Sequence, residues 1–144
     1  MSILIIISLL IISQNVYARR LKRCELAGEL YILDVPKAEL PLWICIAEYE
    51  SRFNTHVIGR RNDDGSSDYG LFQISDKFWC NPANDTEYYV FNECNVNCTE
   101  LITDDITKAV ICARTILKQQ GWSAWTVYEE FCNTTLIDAD ACFE

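Results

Sequence analysis

The chain carries one histidine, His56, and few cations: 12 Lys and Arg stand against 21 Asp and Glu, a formal net charge of −9. Phosphate backbones are held by clustered Lys and Arg, so nucleic acid is excluded as a ligand class and anionic membranes are disfavoured. The acids are dispersed rather than gathered into a tail, which reads as a solvated surface. The lone histidine also counts against zinc. Cys94 and Cys98 have ligand-like spacing, but His56 lies far from them in the chain. No metal and no cofactor are expected. There is no internal repeat and no low-complexity linker, so the 144 residues read as one domain.

A long apolar run is missing too. Ile3 to Ile12 is apolar except for Ser8, about half of the roughly 20 residues a membrane span needs. A small-x-small pattern, Val16-Tyr17-Ala18, follows it, and then Arg19 and Arg20. This predicts a signal peptide over 1–18 and a secreted mature domain over 19–144. No Lys or Arg precedes the apolar run, so the chain's own amine must supply the positive end.

What the chain does have is cysteine. All eight lie beyond residue 18, and an even count in a short exported chain implies disulfides. Eight cysteines allow roughly a hundred pairings, so spacing alone leaves the connectivity open.

Periodicity predicts three helices. The first covers 23–33, with Leu26, Leu30 and Leu33 at helical spacing, and Asp34 and Pro36 break it. The second covers 41–53, opened by Pro41 and with Leu42, Cys45, Ile46, Tyr49 and Phe53 on one face. The third runs from Ile106 to Gln120 behind Thr103-Asp104-Asp105, burying Ile106, Val110, Ala113 and Leu117 and ending at Gly121. A fourth, short helix is expected over 122–131. Between the second and third, Asp64-Gly65 predicts a turn and residues 68–74 a short strand. Residues 75–99 read as irregular and stapled by cysteines. The class is α+β.

The stretch NDDGSSDYG, 62–70, holds three carboxylates. It is not a calcium loop, because Arg60 and Leu71 stand where an EF-hand needs acids. Asp63 and Asp64 read as turn formers. Asp68 enters the strand among Ser66, Ser67 and Tyr69, polar surroundings that would keep it ionised. Glu50 sits near a helix C-terminus between the aromatic neighbours Tyr49 and Phe53, which would raise its pKa. Taken alone, Glu50 reads as a surface glutamate. Opposed to Asp68 it makes one acid and one anion, the pair glycoside hydrolysis uses. Spacing does not establish that the two approach each other.

The segments AEYESRFNT, NDDGSSDYGLFQI, FWCN, DDITKAVICA and GWSAW together resemble the C-type lysozymes, over the whole chain beyond residue 18. That family supplies the standard case of two carboxylates with opposite environments, so the pKa argument above is inherited from it. The resemblance implies a lysozyme-like α+β fold: a helical domain, a small β-hairpin subdomain and a cleft between them. It implies Cys24–Cys142, Cys45–Cys132, Cys80–Cys98 and Cys94–Cys112 disulfides. It makes Glu50 the general acid and Asp68 the nucleophile or electrostatic stabiliser. Trp125 would desolvate Glu50. Asn62, Gln73, Ser75, Phe78, Trp79 and Ala124 would line the sugar site, with Phe78 and Trp79 stacking on sugar faces.

The implied activity is retaining hydrolysis of the β-1,4 bond between N-acetylmuramic acid and N-acetylglucosamine in bacterial peptidoglycan, by a monomer. The alternative is a lysozyme-like protein that binds glycans without cutting them. The acidic charge is similar to that of insect gut lysozymes, which points to a digestive rather than a defensive, antimicrobial setting. Four features depart from the usual pattern or add to it. Phe78 replaces a Trp or Tyr, and Ser75 replaces an asparagine. One extra residue lies near Gly59-Arg60-Arg61. Glycosylation patterns begin at Asn84, Asn97 and Asn133. The calcium-binding pair of the related α-lactalbumins falls on Lys108 and Ala109, so no calcium is expected.

Overall fold

The computed structural model describes residues 19–134 and 136–144; the signal peptide read over 1–18 lies outside the described residues. Three α-helices and one two-stranded antiparallel sheet form the frame: α1 (Arg23–Ile32), α2 (Leu40–Ser51), β1 (Asp68–Tyr69), β2 (Ile74–Ser75) and α3 (Thr107–Gln120). The architecture is α+β, as expected. Among the described residues no helix is long and apolar enough to cross a membrane.

Helix α1 buries Leu26, Ala27 and Leu30. It stops where Asp34 turns left-handed at φ 61° and Val35 N–H reaches Leu30 O at 3.0 Å. Helix α2 has Pro41 in its first turn, where a missing N–H costs nothing. Its end is well determined. Arg52 and Phe53 both adopt positive φ, 50° and 62°, and Phe53 N–H reaches back six residues to Ala47 O at 3.2 Å. With Arg52 N–H on Glu48 O at 2.9 Å, this is a left-handed closure made without glycine, and it holds the last turn, which carries Glu50, in place.

The apolar face expected of α2 is observed in part: Cys45 and Ile46 are buried, and Leu42 and Phe53 pack against the core. Leu40, Trp43, Ile44, Cys45, Ile46 and Ala47 are buried, while Tyr49 is 49% exposed. The helix is enclosed on most sides, so a single-face reading misplaces its outer residues. Trp43 is its anchor. It lies edge-on to Phe72, Trp122 and Trp125, with centroids 4.8–5.3 Å apart, and its indole N–H donates to Glu39 Oε2 at 3.1 Å. Helix α3 buries Ala109, Val110, Cys112, Ala113 and Ile116. Asp105 begins it by accepting Thr107 N–H at 2.8 Å.

Two expected elements differ. Residues 68–74 are not one strand but a hairpin of their own, with Asp68 facing Ser75 and Tyr69 facing Ile74. Gly70, at φ 74°, makes the bend possible. The Asp64-Gly65 turn also exists: Gly65 N–H donates to Asn62 O at 2.9 Å and Asn62 N–H to Ser66 O at 2.8 Å. It joins 57–62 to β1, through a bridge between Ile58 and Tyr69. The second difference is over 122–131. There the chain makes a 3-10 turn at Trp122–Ala124, an extended Trp125 (φ −102°, ψ 119°) and a π-helical turn at Tyr128–Cys132. The extended residue places Trp125 inward, where it is buried.

The four disulfides pair as the resemblance implied: Cys24–Cys142, Cys45–Cys132, Cys80–Cys98 and Cys94–Cys112. The last two staple residues 75–99, which beyond Ser75 form no helix or strand before a 3-10 turn at Cys98–Leu101. Both close loops with a sequence separation of 18, so replacing Cys80 and Cys98 by alanine is expected to cost about 3 kcal/mol in urea unfolding. A second stability prediction concerns Gly70. A methyl group there would sit 2.1 Å from Leu101 O, in a backbone conformation unfavourable to other residues. Gly70→Ala should therefore destabilise by about 3 kcal/mol, read as a fall in melting temperature.

Candidate active site

A cleft of about 290 Å³ opens between the end of α2, the β-hairpin, α3 and the segment 124–126. Its walls bring together Glu50, Asn62, Asp68, Gln73, Ser75, Trp79, Ala124 and Trp125. Every predicted site residue except Phe78 is here; Phe78 lies outside this lining, 43% exposed. Trp79 lines the cleft but is only 6% exposed. Most of its ring is packed into the core, and Phe78 offers far more open surface. Ile74, Ile116 and Thr126 complete the walls. None of these three carries a signal in the sequence beyond ordinary core periodicity.

The two carboxylates sit in different environments. Glu50 is pushed up from 4.5 to about 7, first by burial and then by the negative charge of Asp68. Of the aromatic side chains expected near Glu50, Trp125 shares the cleft wall with it. Tyr49 stacks on Phe131, with centroids 4.2 Å apart and planes 7° from parallel. The apolar wall is Trp125, 4% exposed and fixed by an indole N–H bond to Phe72 O at 3.0 Å.

Ser66, Ser67 and Tyr69, expected to hold Asp68 ionised, bond other carboxylates instead. Ser66 Oγ donates to Asp64 Oδ1 at 2.6 Å. Ser67 N–H and Tyr69 OH both turn to Asp76. Among the described residues only Asn62 bonds the Asp68 carboxylate, donating from Nδ2 to both oxygens at 3.2 Å. Burial raises the Asp68 pKa, Asn62 opposes this, and the charges of Asp76 and Asp64 add to the rise. Ser75 Oγ accepts Lys77 N–H at 3.2 Å. Removing Asn62 should therefore raise the Asp68 pKa further. Asn62→Ala is expected to move the acid limb of any pH profile upward, and titration of the Asp68 carboxyl by NMR checks this directly.

Asp76 is the functional residue sequence reading missed. It is 3% exposed and accepts Tyr88 OH at 2.6 Å, Ser67 N–H at 3.2 Å and Tyr69 OH at 3.5 Å. Paired this fully, a buried carboxylate is tolerated, and it ties β1, with Asp68, to the following loop. A lone aspartate in a loop gives no warning of such a role. Asp63 and Asp64 remain outside the cleft lining. Asp64 shapes the turn by accepting Ser66 N–H at 3.0 Å, as expected.

Among the described residues no cluster of three or more His, Cys, Asp or Glu could hold a metal. Asp104 faces His56 at 2.7 Å and Lys108 pairs with Glu100.

The chain is similar to known proteins over most of its length. The profile of the C-type lysozyme/alpha-lactalbumin family matches residues 19–142. "Lysozyme 1" of Musca domestica is 43% identical over 140 residues, 97% of each chain. "Lysozyme P" of Drosophila melanogaster is 45% identical over the same length, again 97% of each chain. Among solved structures, a lysozyme from Litopenaeus vannamei superposes with a TM-score of 0.75 at 36% identity, covering 88% of this chain and 99% of that one. The chain belongs to the C-type lysozyme/alpha-lactalbumin family.

Proposed function

We propose that the protein is a secreted lysozyme, cleaving the β-1,4 bond between N-acetylmuramic acid and N-acetylglucosamine in peptidoglycan with retention at the anomeric carbon. The observation that carries this reading is the pair of carboxylates in one cleft, with Glu50 protonated up to about pH 7, by burial and by the negative charge of Asp68. Glu50 gives its proton to the leaving glycosidic oxygen. Asp68 attacks, or stabilises, the cationic anomeric centre. Glu50, now a base, takes a proton from the incoming water and is restored. Trp125 keeps the acid side dry, and Asn62 orients the anion. The chain acts as a monomer and the chemistry uses its own carboxylates and water. A protein that only held glycans would gain nothing from a buried, protonated Glu50, which favours the catalytic reading.

The test is digestion of purified peptidoglycan, followed by NMR of the first product formed. New β-anomeric reducing ends support the mechanism; α-anomers, or no cleavage by correctly folded protein, would end it.

The charge has a consequence for wall lysis. Bacterial walls are anionic and the protein carries −9, so their encounter is opposed at low ionic strength. Raising salt from about 10 to 150 mM shortens the screening length from about 30 to 8 Å, and lysis of whole cells is expected to speed up. Cleavage of neutral soluble oligosaccharides should not change. A rate that falls with salt would contradict repulsion. The acidic charge is also what supports a digestive setting, where low pH neutralises surface carboxylates.

A further inference from the structure

We propose that Asn84 carries an N-linked glycan and that the other two acceptor patterns of the chain stay bare. The pattern Asn-x-Ser/Thr occurs three times, at Asn84-Asp85-Thr86, Asn97-Cys98-Thr99 and Asn133-Thr134-Thr135. The pattern alone does not choose among them; the fold does. The inference rests on the reading of the protein as secreted, because the transferring enzyme lies on the secretory route.

A glycan is bulky and hydrophilic, so an occupied asparagine must hold its side-chain nitrogen clear of the packed chain. Asn84 is exposed and lies outside every helix and strand. Asn133 turns the nitrogen that would take the sugar back onto the chain, where Nδ2 donates to Glu129 Oε2 at 3.1 Å. It also follows Cys132 directly, which is fully buried and bridged to Cys45 in α2. Asn97 is exposed but stands between Val96 and Cys98, both buried. Two segments cross there: Asn81 N–H donates to Val96 O at 2.8 Å and Cys98 N–H to Asn81 O at 2.9 Å. Cys98 is bridged to Cys80, and Asn97 N–H is held by Glu100 Oε2 at 3.0 Å. A glycan at Asn97 or Asn133 would crowd the closing of a buried disulfide.

The loop that displays Asn84 is anchored on both sides. Cys80 fixes the chain before it. Beyond it, Thr86 Oγ donates to Tyr88 O at 2.7 Å, and Tyr88 OH donates to the buried Asp76 at 2.6 Å. Asn84 stands on the wall of a recess of about 240 Å³ together with Arg61, Thr86 and Tyr88, polar groups beside which a first sugar can rest. This recess shares no lining residue with the catalytic cleft, so the glycan leaves substrate entry open. In the transfer, Asn84 Nδ2 bonds to the anomeric carbon of an N-acetylglucosamine carried on a polyisoprenyl diphosphate. The carbon–oxygen bond to the diphosphate breaks, the diphosphate leaves with the electron pair, and Nδ2 gives one proton to a base of the transferring enzyme.

The test is expression of the full chain in insect cells. The secreted protein is weighed by mass spectrometry before and after a peptide N-glycosidase, which converts an occupied asparagine to aspartate. The wild type is expected to lose a single glycan, with the new aspartate at position 84. Asn84→Gln should be secreted without a glycan and should cleave soluble oligosaccharides at the wild-type rate. Thr86→Val should lose the glycan although Asn84 is intact, and Thr86→Ser should keep it. Asn97→Gln and Asn133→Gln should show the same mass loss as the wild type. A secreted, active wild type with no glycan, or with one at Asn97 or Asn133, overturns the proposal and leaves the secretory reading intact. A chain that stays in the cytosol overturns both.

Discussion

Glu50→Gln is expected to lower the rate of peptidoglycan cleavage by about 10²–10⁴-fold, the usual contribution of a positioned general acid. The amide keeps the size of the side chain but has no proton to give at neutral pH. The loss should appear in kcat, with KM little changed, because the proton moves only in the transition state. The pH profile supplies the control. In the wild type, activity should fall as pH rises through about 7, where Glu50 loses its proton. In the variant, whatever activity remains should lack that limb. A variant that kept both its rate and its alkaline limb would remove Glu50 from the reaction.

The same substitution should stabilise the fold, and the sign can be worked out. The folded-state pKa of Glu50, about 7, lies above its ordinary value of 4.5. Below about pH 4.5 the group is protonated in both states and has no effect. Between 4.5 and 7 the unfolded chain ionises first, so stability declines as pH rises. Above 7 the full cost is present, on the order of 2–3 kcal/mol once partial solvent access is allowed for. Gln at this position removes that dependence. Glu50→Gln should therefore be more stable than wild type at pH 8 and equal to it at pH 4, measured by urea unfolding at both. A functional group held against its own solvation preference is a common source of such a trade-off.

How far these features could be read from the chain depends on what sets each of them. The helices α1, α2 and α3 were legible because burial repeats with the helical period, and because Asp34, Pro41 and Gly121 mark their ends. The turn at Asn62–Gly65 was legible from Asp64-Gly65 alone. The hairpin over 68–75 was not, since its strands are two residues each and no alternation is long enough to register. Their pairing is set by tertiary contacts: Gly70 against Leu101, and Asp76 accepting from three groups. Trp125 likewise departs from helical backbone because its ring fills the space beside Trp43 and Phe72, a demand no local preference encodes. The disulfide pairing and the paired acids were reachable only by resemblance, because neither spacing nor composition brings distant residues together. Asp76 escaped both routes.

Asp68→Asn is expected to have the second large effect, and it separates the two roles of the carboxylate pair. Losing the anion removes stabilisation of the positive anomeric centre, worth about 10²–10³-fold in kcat. It also removes the charge that helps to raise Glu50. The Glu50 pKa should then fall below 7, though not to 4.5, because burial remains the larger cause. The alkaline limb of the residual activity should move to lower pH by the same amount. Asn62 loses an ionised partner but can still bond the new amide oxygen, so β1 should keep its place. Two readouts therefore change together, a rate and a pKa, and a merely structural role for Asp68 would not link them. If the rate falls while Glu50 still titrates near 7 by NMR, the two carboxylates are not coupled, and the electrostatic account of the acid must rest on burial alone. If Glu50 shifts but the rate holds, Asp68 tunes its partner without touching the anomeric centre, and the nucleophile must be sought elsewhere in the cleft.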